Sequence, residues 1–267
     1  MDLLNQTIED IKSLKIQGAE AVAEAGLKAW QKAKDKEKAT ELLIKARPTE
    51  PMLKNVLTLA NNDVSPQKIL KKLREDKKKI YKIGAKLIKN NSVVFVHCHS
   101  SIVVGILKEA KRQGKKFEVH NTETRPFYQG RITAEELSRF GIKVVHYTDS
   151  AAMIAMKKAD IFLFGSDAVT LKGSYNKIGT EMFAEVAKKY FKIPVYSCTH
   201  SWKVADKVEV EKLSRKDIWP NAPKKIEIHN PAFELAETKF LTGIVSELGV
   251  LSVKEFVKKA KEGLKIK

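Results

Sequence analysis

The run Ile161–Phe164 is short, apolar and aromatic, ends at Gly165, and is followed at once by Asp167. Such a run reads as a buried strand. A polar stretch containing Gly173 comes next and reads as a loop, and Asn176-Lys177 then open a new apolar-periodic segment from Ile178. In an open α/β sheet, ligands bind beyond the carboxyl ends of the strands, where Asp167 would stand. A lysine just ahead of a helix offers an anion both a cation and free backbone N–H groups. A carboxylate and a phosphate cradle on one strand–loop–helix unit suggest chemistry on a phosphorylated small molecule. A capping aspartate and a surface lysine would look the same, and this stretch alone leaves both readings open.

Four more runs have the strand character of Ile161–Phe164: Val93–Val96, Phe117–His120, Val144–Tyr147 and Val195–Ser197. The first leads into His97-Cys98-His99-Ser100-Ser101, the second into Glu123-Thr124-Arg125-Pro126 and the third into Asp149-Ser150. The last leads through Thr199-His200 to Trp202-Lys203. If the strands are parallel, one edge gathers a thiol, several carboxylates, Arg125, Lys177 and Lys203. That set suits acid–base catalysis on an anionic substrate. His97-Cys98-His99 does not suit a metal, because adjacent strand residues point to opposite faces and no matching Cys/His cluster occurs elsewhere. Cys198 reads as a packed small hydrophobe. Cys98 has that reading too. Its place before a Ser-Ser turn opening a helix also allows a thiolate held below the usual pKa of about 8.5.

Helical patterns alternate with these runs, at Ile102–Arg112, Ala134–Phe140, Ala151–Lys158 and Glu181–Tyr190. Strand–helix alternation predicts a doubly wound parallel sheet. Ile226–His229 reads as a further strand and Lys239–Leu248 as a last helix. Residues 1–90 differ. Leu3, Leu4, Ile8, Ile11 and Leu14 form one apolar stripe, Ala19–Lys34 is an alanine-rich helix former, and Ser65-Pro66 opens a long basic helix. Gln17-Gly18-Ala19 and Arg47-Pro48-Thr49 punctuate the chain between them. The expected fold is therefore α/β, with a helical N-terminal domain over residues 1–90 and a Rossmann-like domain over residues 91–267.

The chain has 267 residues, 43% hydrophobic, with 8 Pro and 13 Gly, a globular and regular composition. No apolar run approaches the ~20 residues needed to cross a membrane, and the N-terminus lacks a signal-peptide layout. Two cysteines fit a reducing compartment, so a cytoplasmic protein is expected. Fifty Lys and Arg against 32 Asp and Glu leave a net charge of +18. Such an excess attracts polyanions and steers phosphorylated substrates. The lysines lie over helix faces without interleaved aromatics, and no zinc-finger, RNP-like or P-loop pattern occurs. The excess reads as a solvated surface with at most non-specific affinity for nucleic acid.

Several motifs in order resemble the initiation-factor-2B-like superfamily. They are Cys98-His99-Ser100, Glu123-Thr124-Arg125-Pro126, Tyr128-Gln129-Gly130, Gly165-Ser166-Asp167 and Asn176-Lys177-Ile178-Gly179-Thr180. Trp202-Lys203 and Asn230-Pro231-Ala232-Phe233 extend the match across residues 90–250, and Gln17-Gly18-Ala19 with Arg47-Pro48-Thr49 carry it into the helical part. That superfamily holds sugar-phosphate isomerases and non-catalytic translation-factor subunits. A Cys after the first strand and an Asp after the fourth look like the archaeal ribose-1,5-bisphosphate isomerases, which act between nucleoside monophosphate breakdown and Rubisco. The methylthioribose-1-phosphate isomerases share the pair.

The resemblance implies Cys98 and Asp167 as catalytic residues. It implies Gly18, Ala19, Arg47, Ser100, Asn176, Lys177 and Lys203 as substrate contacts. Asp167, kept protonated, would protonate the ring oxygen of an aldose 1-phosphate, and the Cys98 thiolate would take the C2 proton. It further implies a phosphorylated-sugar substrate, no metal or redox cofactor, and a homodimer or hexamer of dimers, and it leaves room for a nucleotide activator. One departure stands out. The isomerases commonly have Arg-Gly-Ala where this chain has Gln17-Gly18-Ala19, which removes a bidentate phosphate donor.

Overall fold

A computed structural model describes residues 2–13, 15–16, 18–48, 50–210 and 212–264. Leu14, Gln17 and Thr49 lie outside the described residues. Five helices come first: α1 (Leu3–Lys12), α2 (Ala19–Lys32), α3 (Lys36–Ala46), α4 (Pro51–Asn61) and α5 (Pro66–Ala85). Their starts follow local chemistry. Asp2, Asp35 and Ser65 cap α1, α3 and α5 by accepting a backbone N–H of the first turn, and Pro51 and Pro66 stand at the first helical positions of α4 and α5. Gly18, with φ of +84°, turns the chain into α2 where a side chain would be strained.

From Ser92 strands and helices alternate. The order is β1 (Ser92–His97), α6 (Ser101–Arg112), β2 (Phe117–Thr122), α7 (Gln129–Arg139), β3 (Lys143–Tyr147), α8 (Ala152–Met156) and β4 (Ile161–Gly165). A hairpin of β5 (Ala168–Thr170) and β6 (Gly173–Lys177) precedes α9 (Thr180–Val186) and β7 (Val195–Cys198). The chain ends with α10 (Arg215–Ile218), β8 (Phe233–Glu237), β9 (Gly243–Ser246), β10 (Gly249–Leu251) and α11 (Val253–Leu264). The main sheet has the order β10-β9-β7-β4-β1-β2-β3, parallel throughout except for β10 against β9. Successive strands β1 to β3 build outward in one direction and β4, β7 and β9 in the other. The switch point therefore lies between β1 and β4, the place where open α/β sheets form a crevice.

Three expectations are corrected. Lys239–Leu248 is not a helix: after a single 3₁₀ turn it holds β9, whose residues are all buried. A strand buried on both faces is a continuous apolar run that helical spacing can imitate. Ile226–His229 alternates like a strand yet pairs with no strand among the described residues. The polar stretch read as a loop around Gly173 is the β5–β6 hairpin, antiparallel, in a small second sheet with β8. Its strand β6 (GSYNK) is buried although polar, because Ser174 bonds Ser166 and Ser197 while Asn176 bonds Thr180. Satisfied polar groups can be buried without an apolar pattern to announce them.

The helical core does not stop at the sheet. Leu27, Leu53 and Leu57 share one cluster with Trp202, Val204 and Ile244, and with Phe256 and Val257 of α11. The buried Asn55 amide of α4 donates to the carbonyls of Trp202 and Val204 at 2.8 and 3.0 Å. The turn carrying Lys203 is thus fixed from the helical side.

Candidate active site

β1 and β4 pair in register, His97 against Phe164, so the chain leaves the sheet beside itself at Cys98 and again at Ser166-Asp167. Adjacent strands are ~4.8 Å apart, which makes these two exits neighbours by construction. Gly165 makes the approach closer still. A Cβ there would fall 2.5 Å from Ser100 Cβ, so β4 passes the N-cap of α6 only as glycine.

Cys98 has φ of +68°, a left-handed conformation few non-glycine residues adopt. Its N–H donates to Thr124 Oγ1 at 3.0 Å, and its carbonyl accepts from Thr133 Oγ1 at 3.1 Å. Thr124 is also left-handed, with φ of +65°. It is held by Asp149, whose two carboxylate oxygens accept the N–H groups of Thr124 and Arg125 at 2.8 and 2.7 Å. Loops after β2 and β3 therefore clamp the cysteine backbone. Behind it, His97 Nε2–H donates to the Ile178 carbonyl at 3.0 Å, which leaves Nδ1 to accept from the Thr122 hydroxyl at 2.6 Å. The His97 ring stands edge-on to Phe183.

The loop carrying Asp167 is tied down from three sides. Asp167 N–H donates to the Tyr175 carbonyl at 2.8 Å, Ser166 Oγ donates to the Ala168 carbonyl at 2.8 Å, and Lys203 Nζ donates to the Ser166 carbonyl. Lys177 is the last residue of β6, opposite Phe233 of β8, and its Nζ lies 5.1 Å from the Phe233 ring centroid. It was expected just ahead of a helix, but α9 begins only at Thr180. Lys177 reaches the crevice as a strand residue, and its backbone serves the ladder rather than an anion.

A cavity of about 540 Å³ opens over these strand ends. Cys98, Ser100, Asp167, Asn176, Lys177 and Lys203 line it from the sheet, and Gly18, Ala19 and Arg47 line it from the helices. All nine candidate residues thus share one space. The substitution at Gln17 lies outside the described residues. Three further lining residues were not singled out in the sequence. Gln129, at the start of α7, has a buried amide oxygen with no hydrogen-bond partner. Lys77 of α5 is paired with Glu20 of α2 at the cavity wall. His200 stands between Asp76, 3.9 Å from its Nε2, and Glu247, 3.6 Å from its Nδ1. Only Gln129 had a local signal, its place in the Tyr128-Gln129-Gly130 motif.

The electrostatics correct one expectation. The Cys98 thiol is not lowered by the helix ahead of it. Burial, opposed by the Lys177 ammonium and helped by the Asp167 carboxylate, raises it to about 12. The thiol form therefore prevails at neutral pH. Burial likewise lowers His97 to about 4, so the ring is neutral. The Cys198 thiol, fully packed, is raised by burial alone. Asp76, His200 and Glu247 offer donor atoms within 4.8 Å of one another. The two carboxylates face opposite ring nitrogens, however, and Asp76 accepts from Lys72 at 2.8 Å. That is a carboxylate–imidazole sandwich rather than a chelate.

Similarity to known proteins follows the same ground. The chain is 31% identical to the ribose 1,5-bisphosphate isomerase of Methanocaldococcus jannaschii, over 94% of this chain and 92% of that protein. It is 32% identical to the methylthioribose-1-phosphate isomerase of Caldanaerobacter subterraneus, over 90% of this chain and 85% of that one. The fold matches the crystal structure of the Pyrococcus horikoshii translation initiation factor eIF-2B with a TM-score of 0.80 and 25% identity, covering 93% of this chain and 96% of that one. The model of the initiation factor 2 subunit family, IF-2B, matches residues 7–253. On that match the chain belongs to the initiation factor 2 subunit family.

Proposed function

We propose that this chain is a sugar-phosphate aldose–ketose isomerase and that its substrate is ribose 1,5-bisphosphate, converted to ribulose 1,5-bisphosphate. The observation that carries the reading is the meeting of Cys98 and Asp167 at the carboxyl ends of β1 and β4, in one cavity with Arg47, Lys177 and Lys203. The named isomerases among its relatives support the reaction class. The two free cysteines and the absence, among the described residues, of a helix able to cross a membrane fit our placing it in the cytoplasm.

The chemistry needs two proton transfers of opposite sense. Opening the ring requires a proton on the ring oxygen as its bond to C1 breaks. Isomerisation then requires loss of the C2 proton and its return to C1, with the C2 hydroxyl giving up its own proton to leave a ketone. Asp167 supplies the first proton and takes back the last; Cys98 takes the C2 proton and returns it to C1. Before the first step Cys98 must lose a proton and Asp167 must hold one. A transfer from thiol to carboxylate does both. It also removes the negative charge that raises the thiol and leaves Lys177 beside the new thiolate. Lys177, Lys203 and Arg47 hold phosphate, the first-turn N–H groups of α2 at Gly18 and Ala19 offer a second anion cradle, and Asn176 and Ser100 bond the sugar hydroxyls.

A second reading is supported by the likeness to an initiation-factor structure: a non-catalytic subunit that works through protein contacts. One assay separates the readings. Purified protein is incubated with ribose 1,5-bisphosphate, methylthioribose 1-phosphate or ribose 5-phosphate, and ketose formation is followed. Turnover is expected with the bisphosphate foremost. Turnover of methylthioribose 1-phosphate instead would reassign the substrate, and none with any sugar would favour the second reading.

A further inference from the structure

Between Pro66 and Lys89 the sequence has ten Lys and Arg against two acidic residues, Glu75 and Asp76. Eight of the eighteen excess positive charges thus fall on α5 and the turn after it, so the net charge is concentrated rather than spread. The helix buries Ile69, Leu73, Ile80 and Ala85 and turns its basic residues outward, apart from Lys77 at the cavity wall. Its ion pairs then sort them. Glu75 draws Lys71, Asp76 draws Lys72 and Lys79, and Glu20 draws Lys77. Six remain exposed and outside every ion pair among the described residues: Lys68, Lys89 and the set Arg74, Lys78, Lys82 and Lys86. The last four make the row. They are four residues apart, so they form one row at steps of about 6 Å over about 18 Å of helix.

We propose that this row is a docking surface for double-stranded RNA, gripped through its phosphates without regard to sequence. A row of unneutralised cations gains affinity by releasing counterions from a polyanion. Other anionic surfaces fit less well. None of the exposed large apolar side chains is on α5, so nothing there would anchor it in a lipid surface. Its one aromatic, Tyr81, lies against Gly105 with its hydroxyl toward the Ser101 carbonyl, leaving no ring on which a single strand could stack. Ile69, Leu73, Ile80 and Ala85 fix the inner side of the helix against the protein, so the row meets a duplex with one face only. The wide, shallow minor groove of A-form RNA presents phosphates that such a row can reach.

The test is independent of the isomerase reading, because none of the four residues lines the cavity. Anisotropy of a labelled RNA duplex of about 20 base pairs is measured against the full chain across about 50 to 300 mM salt. The native protein is expected to bind with a steep log–log salt dependence. The quadruple variant Arg74→Gln, Lys78→Gln, Lys82→Gln, Lys86→Gln should lose at least about tenfold in affinity and about 3.6 in slope, since each phosphate contact contributes about 0.9. Should that variant fail to give a native circular-dichroism spectrum, Lys78→Gln with Lys82→Gln should show about half the change in slope. An unchanged slope in the folded variants would overturn the proposal. So would equal affinity for a DNA duplex of the same length, or for phosphatidylglycerol vesicles.

Discussion

His97 of β1 and Phe164 of β4 face each other in parallel register at the carboxyl edge of the sheet, and each chain segment turns into the cavity directly afterwards. Cys98 and Asp167 are therefore placed by the ladder itself, and side-chain changes at either need not disturb it. Cys98→Ser keeps the size but replaces a titrating thiol by a hydroxyl that does not ionise near neutral pH. Asp167→Asn keeps the shape but removes the transferable proton. Each is expected to lower kcat by roughly 10²-fold or more, and the double variant to be little worse than the poorer single one. The check is isomerase rate beside melting temperature. Full activity in Cys98→Ser at an unchanged melting point would end the catalytic assignment.

Burial and Asp167 raise the Cys98 thiol, against Lys177, to about 12. Alkylation needs the thiolate, so reaction of Cys98 with iodoacetamide should be slow at neutral pH and rise about tenfold per pH unit to pH 10 without levelling. Asp167→Asn removes one cause of the upward shift and should speed alkylation at fixed pH. Peptide mapping separates Cys98 from the buried Cys198. A plateau near the ordinary thiol range would contradict the buried, carboxylate-opposed setting.

Much of this was legible because it was local. Cys98, Asp167, Lys177 and Lys203 each follow or end an apolar run, and parallel strands bring such ends together whatever lies between. What local pattern could not give was the helical wall. Lys77 looked like one more lysine of a basic helix, yet α5 packs so that it lines the cavity against Glu20. The sandwich of His200 between Asp76 and Glu247 joins three distant segments with no shared motif. The thiol's state escaped for a related reason: a helix N-terminus is visible in sequence, whereas the desolvation of a half-buried thiol is a property of the assembled cavity. β9 and the β5–β6 hairpin escaped because β9 lacks alternation, while β5 is only three residues long and β6 has no aliphatic residue.

The Gln129 amide oxygen is buried beside the cavity and has no partner. An orphaned acceptor costs about 1–3 kcal/mol, which a substrate hydroxyl would recover on binding. Gln129→Met keeps the length and removes the orphan. KM is expected to rise about tenfold or more, while the melting temperature stays level or rises. A residue with only a packing role would move the two the other way.

Met153, Ile154 and Met182 are about half exposed, at 48%, 62% and 56%, on α8 and α9. Large apolar side chains left in water on neighbouring helices of one domain are suited to a second copy of the chain. A dimer is expected by light scattering at micromolar concentration, and Ile154→Lys should shift it toward monomer. A native mass of one chain would count against it.

His97 links the site to acid stability. Burial, partly offset by the Ile178 carbonyl and Asp149, lowers it from 6.5 to about 4. Between those values the unfolded chain binds a proton that the folded chain refuses. Stability contributed by the neutral ring is thus complete above pH 6.5 and is lost as pH falls toward 4, by about 3 kcal/mol at most. His99 and His200, also lowered by burial, act in the same direction. The melting temperature should therefore fall steeply from pH 6.5 to 4. His97→Gln keeps a donor for the Ile178 carbonyl but cannot titrate. It should lower the melting temperature at neutral pH and flatten the descent without abolishing it, since the other two histidines remain. If native and variant curves fall in parallel, His97 is not the neutral, desolvated ring that the Thr122 and Ile178 contacts require.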